Sequence, residues 1–582
     1  MSALKISMRT FLSKFAVGQR PLQPLPRRGF LFVVAVILVL VGAGPLDSRA
    51  DDHHALTCAQ LLGVKIPATS IGLPTTGAVV TATQSVAASG TGASAIGAYC
   101  LVSGSIMPVD PTAPNINFQL GLPAAWNHKA VMLGGGGFDG TIPAVTSNTP
   151  NGPTDALVPL GRGYAVFGSD SGHQDPNAAD GAFTVNSKAL LNFMGEALKK
   201  TRDSAHYLIE AFYGERAHKS YFSGGSTGGR ESLTVIQRWP EDWNGAIAFY
   251  PAWDFAALTL GQLHIAEAFA APDAWLDPAK RAVLQRAALA ACDALDGAVD
   301  GLISNVRGCL ATFDPATAML NGAPIRCPGG VDTGDTCLSD AQIAALKTVN
   351  DPLRFNFRLA SGETKYLGNN VYIADLGVPS SNPFEPIVSV LALGSVAPAF
   401  PVTGAMMFDA QISDSWIRYT VVDNVSYDSL TFDPAGPPAF EPRLYYLSSL
   451  DAIDYDLSRF ADRGGKLLML HGTADMTVTT RGTEYYFSRM EETMGADRVH
   501  RFVRFYEVPG FQHAFSTVFN AAWDSLTALE NWVEHDVAPM HEVVTDTVGV
   551  PGRTRPLCEY PRWPKYTGSG DINSASSFTC AR

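Results

Sequence analysis

The stretch that decides the fold is residues 219–233, which read KSYFSGGSTGGRESL. Residues 220–223 predict a short buried strand, and a helical pattern begins at Arg230. Between them lies a G-x-S-x-G sequence centred on Ser226. Glycines suit a sharp strand-to-helix turn, because side chains there would collide with the neighbouring backbone. The stretch therefore predicts a serine held at a strained turn, with the amino end of a helix behind it.

Short apolar runs bounded by glycine recur along the chain, as expected for buried parallel strands. They lie at 130–133, 164–168, 220–223, 246–250, 466–470 and 503–508. An amphipathic helix between the second and third runs is predicted by the stripe Leu190, Phe193, Met194, Ala197 and Leu198. Residues 51–128 are typical of an extended β-region. Strands that alternate with helices around a serine elbow predict an α/β fold, the doubly wound sheet of an α/β-hydrolase.

The alternation stops over residues 255–440. This part holds a helical stretch at 278–291, a section rich in Cys, Gly and Asp, and proline-rich loops. We interpret it as a large lid domain inserted into the hydrolase domain. The predicted organisation is a signal peptide at 1–50, the first part of the hydrolase domain at 51–254, the lid at 255–440, and the second part of the hydrolase domain at 441–582.

Composition and charge exclude one class of function. With 46% hydrophobic and 17% charged residues, the chain is an ordinary globular protein. Beyond residue 50 it has 35 basic and 54 acidic side chains, a net charge of −19. Such a surface repels nucleic acid and anionic membranes, and no basic stripe offsets it. We therefore expect no nucleic-acid partner.

The first 50 residues have the pattern of a targeting segment. A basic beginning is followed by the apolar run 29–44 and by a cleavage-like sequence that ends at Ala50. Arg27 and Arg28 resemble a twin-arginine export signal, although the general secretory route also suits the apolar run. An uncleaved anchor is the alternative, but the run is short for a membrane span. We predict cleavage, a periplasmic or secreted protein, and no stable membrane span afterwards.

All eight cysteines lie beyond this segment, and an even number in an exported chain predicts disulfides. Their order and the short loops favour four pairs, although the sequence alone leaves other pairings open. The favoured pairs are Cys58 with Cys100, Cys292 with Cys309, Cys327 with Cys337, and Cys558 with Cys580. A metal site built from these cysteines is not favoured, since no C-x-x-C or Cys/His cluster is present.

A serine hydroxyl becomes nucleophilic when a base accepts its proton and an acid orients that base. Asp475 follows the predicted strand 466–470, and His513 follows the predicted strand 503–508. Both therefore lie at the carboxyl ends of parallel strands, where ligands gather, and the chain order Ser, Asp, His is that of α/β-hydrolases. We predict a triad of Ser226, Asp475 and His513, against the alternatives of a turn aspartate and a loop histidine. We interpret His471 as a structural residue near the site.

An oxyanion hole needs two backbone amides. One is expected from Thr227, directly after the serine, and the other from the glycines at 134–137, which follow a predicted strand. Gly136 is the candidate among them. A flexible linker is the alternative, although apolar sequence on both sides disfavours it.

Six motifs in combination closely resemble the tannase and feruloyl esterase family. They are SDSGH from Ser169, YFSGGSTGGR from Tyr221, RWPEDWNG from Arg238, DLSRF from Asp456 with GGKL from Gly464, HGTAD from His471, and PGFQH from Pro509. The similarity extends over nearly the whole chain beyond the signal. It implies the same triad and the hydrolysis of esters of gallic, ferulic and related aromatic acids. One known member hydrolyses mono-hydroxyethyl terephthalate.

The chain departs from that family at two positions beside the triad. Members usually carry a cysteine before the serine and another after the histidine, joined by a disulfide. Here Gly225 and Ala514 replace both. We expect an active variant with a more mobile His513 loop and an altered substrate preference. Thr473 and Met476 replace the Trp and Pro of many members, so we also expect a different pocket wall.

The resemblance further implies a structural calcium ion in the lid. Residues 292–302, CDALDGAVDGL, place three carboxylates at intervals of three and four. The spacing is not that of an EF-hand, but carboxylate and carbonyl oxygens suit Ca²⁺. The implied ligands are the side chains of Asp293, Asp296 and Asp300 and the carbonyls of Ala298 and Leu302. A turn pinned by a disulfide at Cys292 is the alternative.

We therefore predict an exported serine carboxylesterase that cleaves a small aromatic-acid ester of feruloyl, galloyl or terephthaloyl type through an acyl-enzyme. Trp416, Tyr419 and Phe432 of the lid are candidates for the acyl pocket. One alternative is the same chemistry on an aliphatic or polyester-derived ester. A catalytically inactive binding protein on the same fold is the other.

Overall fold

A computed structural model describes residues 55–436 and 438–582 of the chain. The predicted signal peptide, residues 1–50, lies outside the described residues. Among the residues that are described, no helix combines the length and the apolar character needed to cross a bilayer.

A ten-stranded sheet organises the described chain. Its strands are β1 Lys65–Ile66, β2 Gly77–Val86, β3 Tyr99–Met107, β4 Ile116–Pro123, β5 Lys129–Leu133, β6 Ala165–Ser169, β7 Lys219–Gly225, β8 Gly245–Phe249, β9 Lys466–Gly472 and β10 Val503–Val508. Their order across the sheet is β1-β2-β3-β4-β6-β5-β7-β8-β9-β10. The pairs from β1 to β4, and the pair of β4 with β6, are antiparallel, and all the others are parallel. The predicted α/β sheet and the predicted N-terminal β-region are thus parts of one sheet.

The parallel strands are short and almost wholly buried, as their glycine-bounded apolar sequences predict. Leu133 of β5 pairs with Ser223 of β7, and Ser223 pairs with Ile247 of β8. This register aligns the carboxyl ends of the strands at one edge of the sheet. The elbow, the four-glycine loop and the loops after β9 and β10 all begin at that edge.

Helices cover both faces of the parallel strands and build the region predicted as a lid. They are α1 Ser187–Leu191, α2 Ala197–Tyr213, α3 Thr227–Arg238, α4 Phe255–Ala270, α5 Pro278–Cys292, α6 Val306–Thr312, α7 Asp340–Asn350, α8 Glu385–Ala392, α9 Phe408–Ser415, α10 Glu441–Ser448, α11 Ser458–Ala461, α12 Thr480–Met494, α13 Ala496–Val499 and α14 Ser525–His535. Residues 255–440 supply most of a hydrophobic core that includes Leu260 and Ile417, and the same core takes in Phe193 and Met476 from the flanking segments. Two further cores flank the sheet.

The predicted helix through Leu190 and Leu198 is interrupted. All five residues of its apolar stripe are buried, but a π-helical segment, Asn192–Glu196, separates α1 from α2. Gly195 within it has φ 127°, and a Cβ there would lie 2.8 Å from Thr234 Cγ2 on α3. Close packing against α3 thus requires the glycine, and its backbone breaks the α-helix.

Short strand pairs complete the described structure. They are Met319–Leu320 with Ala323–Pro324, Leu353–Arg354 with Lys365–Tyr366, Trp563–Tyr566 with Phe578–Ala581, and a three-stranded sheet of Ala521–Ala522, Val543–Asp546 and Thr554–Pro556. The four favoured disulfides are present, and no described cysteine is free. They join Cys58 to Cys100, Cys292 to Cys309, Cys327 to Cys337, and Cys558 to Cys580. The second and third of these bonds lie in the lid region.

Candidate active site

Ser226 lies in a tight turn between β7 and α3. Its backbone has φ 61° and ψ −124°, a strained conformation that a non-glycine residue keeps only where its surroundings enforce it. A Cβ on Gly224 would lie 2.3 Å from the carbonyl carbon of Gly228, so the turn closes only with glycine at position 224. The predicted elbow is therefore present, and Ser226 lines a cavity at the sheet edge.

His513 connects Ser226 to Asp475 through two hydrogen bonds. Its Nε2 lies 2.9 Å from Ser226 Oγ, and its Nδ1 lies 2.8 Å from Asp475 Oδ2. Asp475 is fully buried and His513 is nearly so. The structure thus brings the three predicted residues together, in an arrangement that lets an imidazole accept a proton from a serine hydroxyl.

The carboxylate of Asp475 is held in its ionised form. Burial by itself raises the pKa of Asp475, but the neighbouring His513 and His471 outweigh burial and bring that pKa well below its usual range. Its Oδ1 accepts the backbone amides of Thr477 at 2.8 Å and Val478 at 2.9 Å. An ionised Asp475 can orient His513 and stabilise the imidazolium.

His471, interpreted from the sequence as a structural residue near the site, contacts the triad directly. It is fully buried, and its Nε2 lies 3.1 Å from Asp475 Oδ2 and 3.0 Å from the carbonyl oxygen of Val478. Its Nδ1 lies 2.8 Å from Thr483 Oγ1. Because two acceptors surround Nε2, the proton belongs there, and His471 donates to the same oxygen of Asp475 that His513 contacts.

Two of the four backbone amides in the glycine loop have a hydrogen-bond acceptor, and two have none among the described residues. The amide of Gly134 donates to Ser223 O at 3.0 Å, and that of Gly135 donates to Glu231 Oε2 at 3.1 Å. Within the described chain, the amides of Gly136 and Gly137 have no acceptor. The Thr227 hydroxyl holds the loop against the elbow by donating to Gly137 O at 2.6 Å. Gly136 lines the same cavity as Ser226, as a donor to an oxyanion must.

Behind this loop lies a pair of carboxyl groups that the sequence analysis missed. Asp139 and Glu231 are buried neighbours, and the charge of Asp139 acts on Glu231. A Cβ on Gly135 would lie 2.0 Å from Asp139 Oδ1, and one on Gly134 would lie 2.7 Å from Glu231 Oε2. Both carboxyl groups therefore pack directly against the backbone of the loop. Burial raises the pKa of Asp139 to about 6, despite nearby Arg230, and burial raises the pKa of Glu231 well above its usual range. Repulsion from Asp139 adds to the rise in the pKa of Glu231, so the two groups titrate together.

The cavity beside Ser226 has a volume of about 470 Å³. Its walls are apolar on the lid side and carry amide and hydroxyl groups on the loop after β5. The lid side includes Ile387, Leu391 and Phe408, and the loop side includes Ser147, Asn148 and Asn151. No Lys, Arg, Asp or Glu lines it among the described residues.

The expectation that Trp416, Tyr419 and Phe432 form the pocket was wrong. Trp416 is fully buried and packs edge-on against Phe255 of α4, with ring centroids 5.0 Å apart, and Phe432 is buried in the lid core. Tyr419 lines a different cavity. Thr473 and Met476 are buried and also lie outside the wall of the Ser226 cavity, contrary to expectation. Gly225 and Ala514 do line it.

The predicted calcium ligands lie in one loop between α5 and α6, with the side chains of Asp293 and Asp296 buried. Asp293 Oδ1 accepts the amides of Asp300 and Gly301 at 3.3 and 3.2 Å, and Asp296 Oδ1 accepts that of Ala298 at 3.0 Å. Arg555 pairs with the Asp300 carboxylate. Burial raises the pKa of Asp293 and of Asp296, and repulsion from Asp300 adds to this. One guanidinium against three carboxylates leaves negative charge in excess, which a divalent cation would offset, but the three carboxylates do not bring their ligand atoms together in the described chain.

The chain is similar to known proteins both in sequence and in structure. A family model described as "Tannase and feruloyl esterase" matches residues 100–581. An uncharacterized esterase of Agrobacterium fabrum is 39% identical over 556 residues, which cover 94% of this chain and 97% of the relative. A mono(2-hydroxyethyl) terephthalate hydrolase of Piscinibacter sakaiensis is 30% identical over 536 residues, covering 84% of this chain and 86% of the relative.

Two solved structures share the fold. Feruloyl esterase B of Aspergillus oryzae superposes with a TM-score of 0.68 at 22% identity, covering 88% of this chain and 98% of that structure. Tannin acyl hydrolase of Aspergillus niger superposes with a TM-score of 0.65 at 20% identity, covering 90% and 96%. The α/β architecture is thus common to all three proteins.

Proposed function

Because the chain belongs to the tannase and feruloyl esterase family and is a carboxylic ester hydrolase, we propose that Ser226, His513 and Asp475 cleave a neutral aromatic-acid ester through an acyl-enzyme. The observation that carries this proposal is the hydrogen-bonded chain from Ser226 Oγ through His513 to buried Asp475, at the wall of a cavity.

The first half-reaction forms the acyl-enzyme. Ser226 Oγ attacks the ester carbonyl carbon while His513 Nε2 takes the hydroxyl proton. The carbonyl oxygen becomes an oxyanion, which the amides of Thr227 and Gly136 stabilise. Asp475 stabilises the imidazolium. The tetrahedral intermediate then collapses, the bond to the alkoxy oxygen breaks, and His513 returns its proton to the leaving alcohol.

The second half-reaction releases the acid. His513 takes a proton from a water molecule, whose oxygen attacks the acyl carbon. When the second tetrahedral intermediate collapses, the bond to Ser226 Oγ breaks and His513 protonates the serine. The carboxylic acid leaves, and the original protonation states are restored.

The cavity supports a neutral aromatic acyl group. Its volume suits a small aromatic ester, and its apolar lid side, with Phe408, suits a ring. Asn148 and Asn151 can hydrogen-bond ring hydroxyl or methoxy groups. A terephthalate monoester carries a free carboxylate, which a cavity without a described cationic side chain would bind poorly. We therefore favour feruloyl and galloyl esters over terephthaloyl ones.

A panel of four esters tests both the chemistry and the substrate class. Rates on methyl ferulate, methyl gallate, mono(2-hydroxyethyl) terephthalate and a short aliphatic ester are compared for the parent and for Ser226→Ala. We expect kcat/KM at least tenfold higher for a neutral aromatic ester than for the terephthalate monoester. We also expect a loss of roughly 10³-fold or more in Ser226→Ala. An aliphatic preference would favour the polyester-derived or aliphatic alternative, and full activity of Ser226→Ala would overturn the triad.

If the parent hydrolysed none of the esters, the protein could still be an inactive binding protein or an esterase for another substrate. A fluorophosphonate probe, which labels a reactive serine, distinguishes the two. The proposal requires the probe to label Ser226 in the parent and to leave Ser226→Ala unlabelled. Absence of labelling in a folded parent protein would indicate a catalytically silent site.

We further propose that the protein is exported and that a structural Ca²⁺ ion occupies the lid loop. The four disulfides support an oxidising compartment, periplasmic or extracellular. Asp293, Asp296 and Asp300, with the carbonyls of Ala298 and Leu302, would hold the ion. It would neutralise their excess charge and fix the loop between α5 and α6, with no part in ester cleavage.

A further inference from the structure

A group of three side chains that could ligate a metal ion lies at the sheet edge opposite Ser226. His128 directly precedes β5, His218 directly precedes β7, and these parallel strands pair with Lys129 opposite Lys219. Glu215 lies in the loop between α2 and β7. Since Ser226 follows the other end of β7, this cluster and the nucleophile are separated by about 20 Å of strand.

Three potential ligand atoms converge there. His128 Nδ1 lies 3.0 Å from Glu215 Oε1, His218 Nε2 lies 3.8 Å from Glu215 Oε2, and one ligand atom from each residue lies within 4.8 Å of the others. The imidazole rings are nearly parallel, with centroids 5.2 Å apart and an interplanar angle of 12°. The amide of His218 donates to His128 O at 2.8 Å, so the backbone that presents both rings is fixed by strand pairing.

We propose that His128, His218 and Glu215 form a binding site for a divalent transition metal, with Zn²⁺ the best match. Two imidazoles and one carboxylate are a ligand set that zinc takes in tetrahedral sites, with water in the fourth position. Ligand atoms about 2.0–2.1 Å from zinc lie roughly 3.4 Å apart in a tetrahedron. The present spacing therefore needs only small rotations of the three exposed side chains.

The surroundings of the cluster leave its carboxylate available. Lys129, the neighbour of His128, pairs with Glu534 at 2.9 Å and not with Glu215. Arg216 pairs with Glu210 at 2.9 Å. Within the described chain, the ion pairs of Glu215 are with the two histidines alone. A metal ion would thus replace weak contacts between exposed side chains and displace no lysine or arginine.

Neighbouring aromatic rings also hold His128 in place. Trp126 lies with its ring centroid 5.0 Å from that of His128, and it stacks on Tyr213 of α2 at 4.0 Å. Such support reduces the side-chain entropy lost when the first ligand binds. The site is therefore partly preorganised by the fold rather than assembled from free surface residues.

The test is a calorimetric titration of the full mature protein with ZnCl₂, with Ca²⁺ in excess so that the aspartate loop does not compete. We expect one Zn²⁺ per chain, at least tenfold weaker binding in both His128→Ala and His218→Ala, and a rise in Tm of about 2 °C in the parent only. The rate of ester hydrolysis should not change, because the site is remote from Ser226. The double variant His53→Ala/His54→Ala, which removes the adjacent histidine pair near the mature amino terminus, is the matched control.

Two results would overturn the proposal. One is unchanged Zn²⁺ affinity in His218→Ala. The other is loss of binding in the His53→Ala/His54→Ala control, which would assign the ion to the amino terminus. Substituting Co²⁺ adds an independent readout, since tetrahedral coordination by these ligands gives a visible absorption band that must vanish in His128→Ala.

Discussion

The ring of Tyr250 fills the space into which a side chain at Gly225 would project. A Cβ built on Gly225 would lie 2.6 Å from both Cε2 and the hydroxyl oxygen of Tyr250. The same ring packs edge-to-face on His513, with centroids 4.8 Å apart. Its hydroxyl donates to Asn151 Oδ1 at 3.1 Å, and the Asn151 amide donates to Ala514 O at 3.4 Å. Tyr250 and Asn151 thus link Gly225 to Ala514 through packing and hydrogen bonds. Other members of the family usually carry a disulfide at these two positions.

Tyr250 should therefore position His513. Tyr250→Phe removes only the hydroxyl, and we expect kcat to fall about fivefold, equivalent to a hydrogen bond of about 1 kcal/mol, with KM nearly unchanged. Tyr250→Ala also removes the ring, and should lower kcat by roughly 10²-fold and the free energy of unfolding by about 3 kcal/mol. Steady-state kinetics and urea unfolding measure both. Tyr445→Phe, at an exposed tyrosine, is the control, and an unchanged kcat in Tyr250→Phe would exclude the positioning role.

Gly225 and Tyr250 should also be energetically coupled. Gly225→Ala places a methyl group against the Tyr250 ring, so we expect it to destabilise the fold by about 2 kcal/mol. In Gly225→Ala/Tyr250→Ala the collision is absent, and the double variant should be more stable than the sum of the single effects predicts. Additive effects in this cycle would show that the ring yields freely to the methyl group.

Much of the site could be predicted because parallel strands bring their carboxyl ends to one edge. Ser226, Asp475 and His513 each follow an apolar run, so chain order and strand ends were enough to bring them together. Asp139 and Glu231 carry no such signal, since their contact depends on how the loop after β5 packs on α3. Trp416 was misassigned for a related reason: composition marks an aromatic residue in the lid, but only packing decides whether it faces the cavity or the core.

Alteration of Asp475 should cost far more activity than alteration of its second partner, His471. Asp475→Asn leaves an amide that can donate to His513 and favour the wrong tautomer, so we expect kcat to fall by about 10⁴-fold. His471→Ala leaves the triad in place but removes one donor from the Asp475 carboxylate, and a loss of about tenfold is expected. Single-turnover kinetics with a chromogenic ester measure both. Equal losses in the two variants would mean that His471 is as essential as the triad.

The raised pKa values of Asp139 and Glu231 should make the fold less stable as pH rises. A carboxyl whose pKa is raised on folding binds a proton that the unfolded chain releases, so its contribution is complete below about pH 4 and is lost as pH rises through about 6. Glu231 extends this loss to higher pH, since its pKa is also raised. We expect the free energy of unfolding to fall by about 2 kcal/mol from this source between pH 4 and 7.

Asp139→Asn tests that assignment, because asparagine has nearly the same shape as aspartate and does not titrate. Urea unfolding at pH 4.5 and 7.5 should show a smaller decline in the variant than in the parent. Asp335→Asn, at an exposed carboxyl, should retain the decline of the parent protein. If the free energy of unfolding of Asp139→Asn fell as much as that of the parent between pH 4.5 and 7.5, the pH dependence would belong to other groups.

Removal of Ca²⁺ should destabilise the lid without altering the chemistry at Ser226. At a calcium concentration 100-fold above the Kd, binding stabilises the folded state by about 2.7 kcal/mol, so chelation by EDTA should lower Tm by several degrees and added Ca²⁺ should restore it. Asp296→Asn should lower the Tm of the calcium-loaded protein and abolish its response to EDTA, since the remaining ligands carry too little charge to hold the ion. Asp497→Asn, at an exposed aspartate outside the lid, should respond as the parent does. If EDTA left the Tm of the parent unchanged, the loop would instead be a turn without calcium. The disulfide between Cys292 and Cys309 and the ion pair between Arg555 and Asp300 would then hold it.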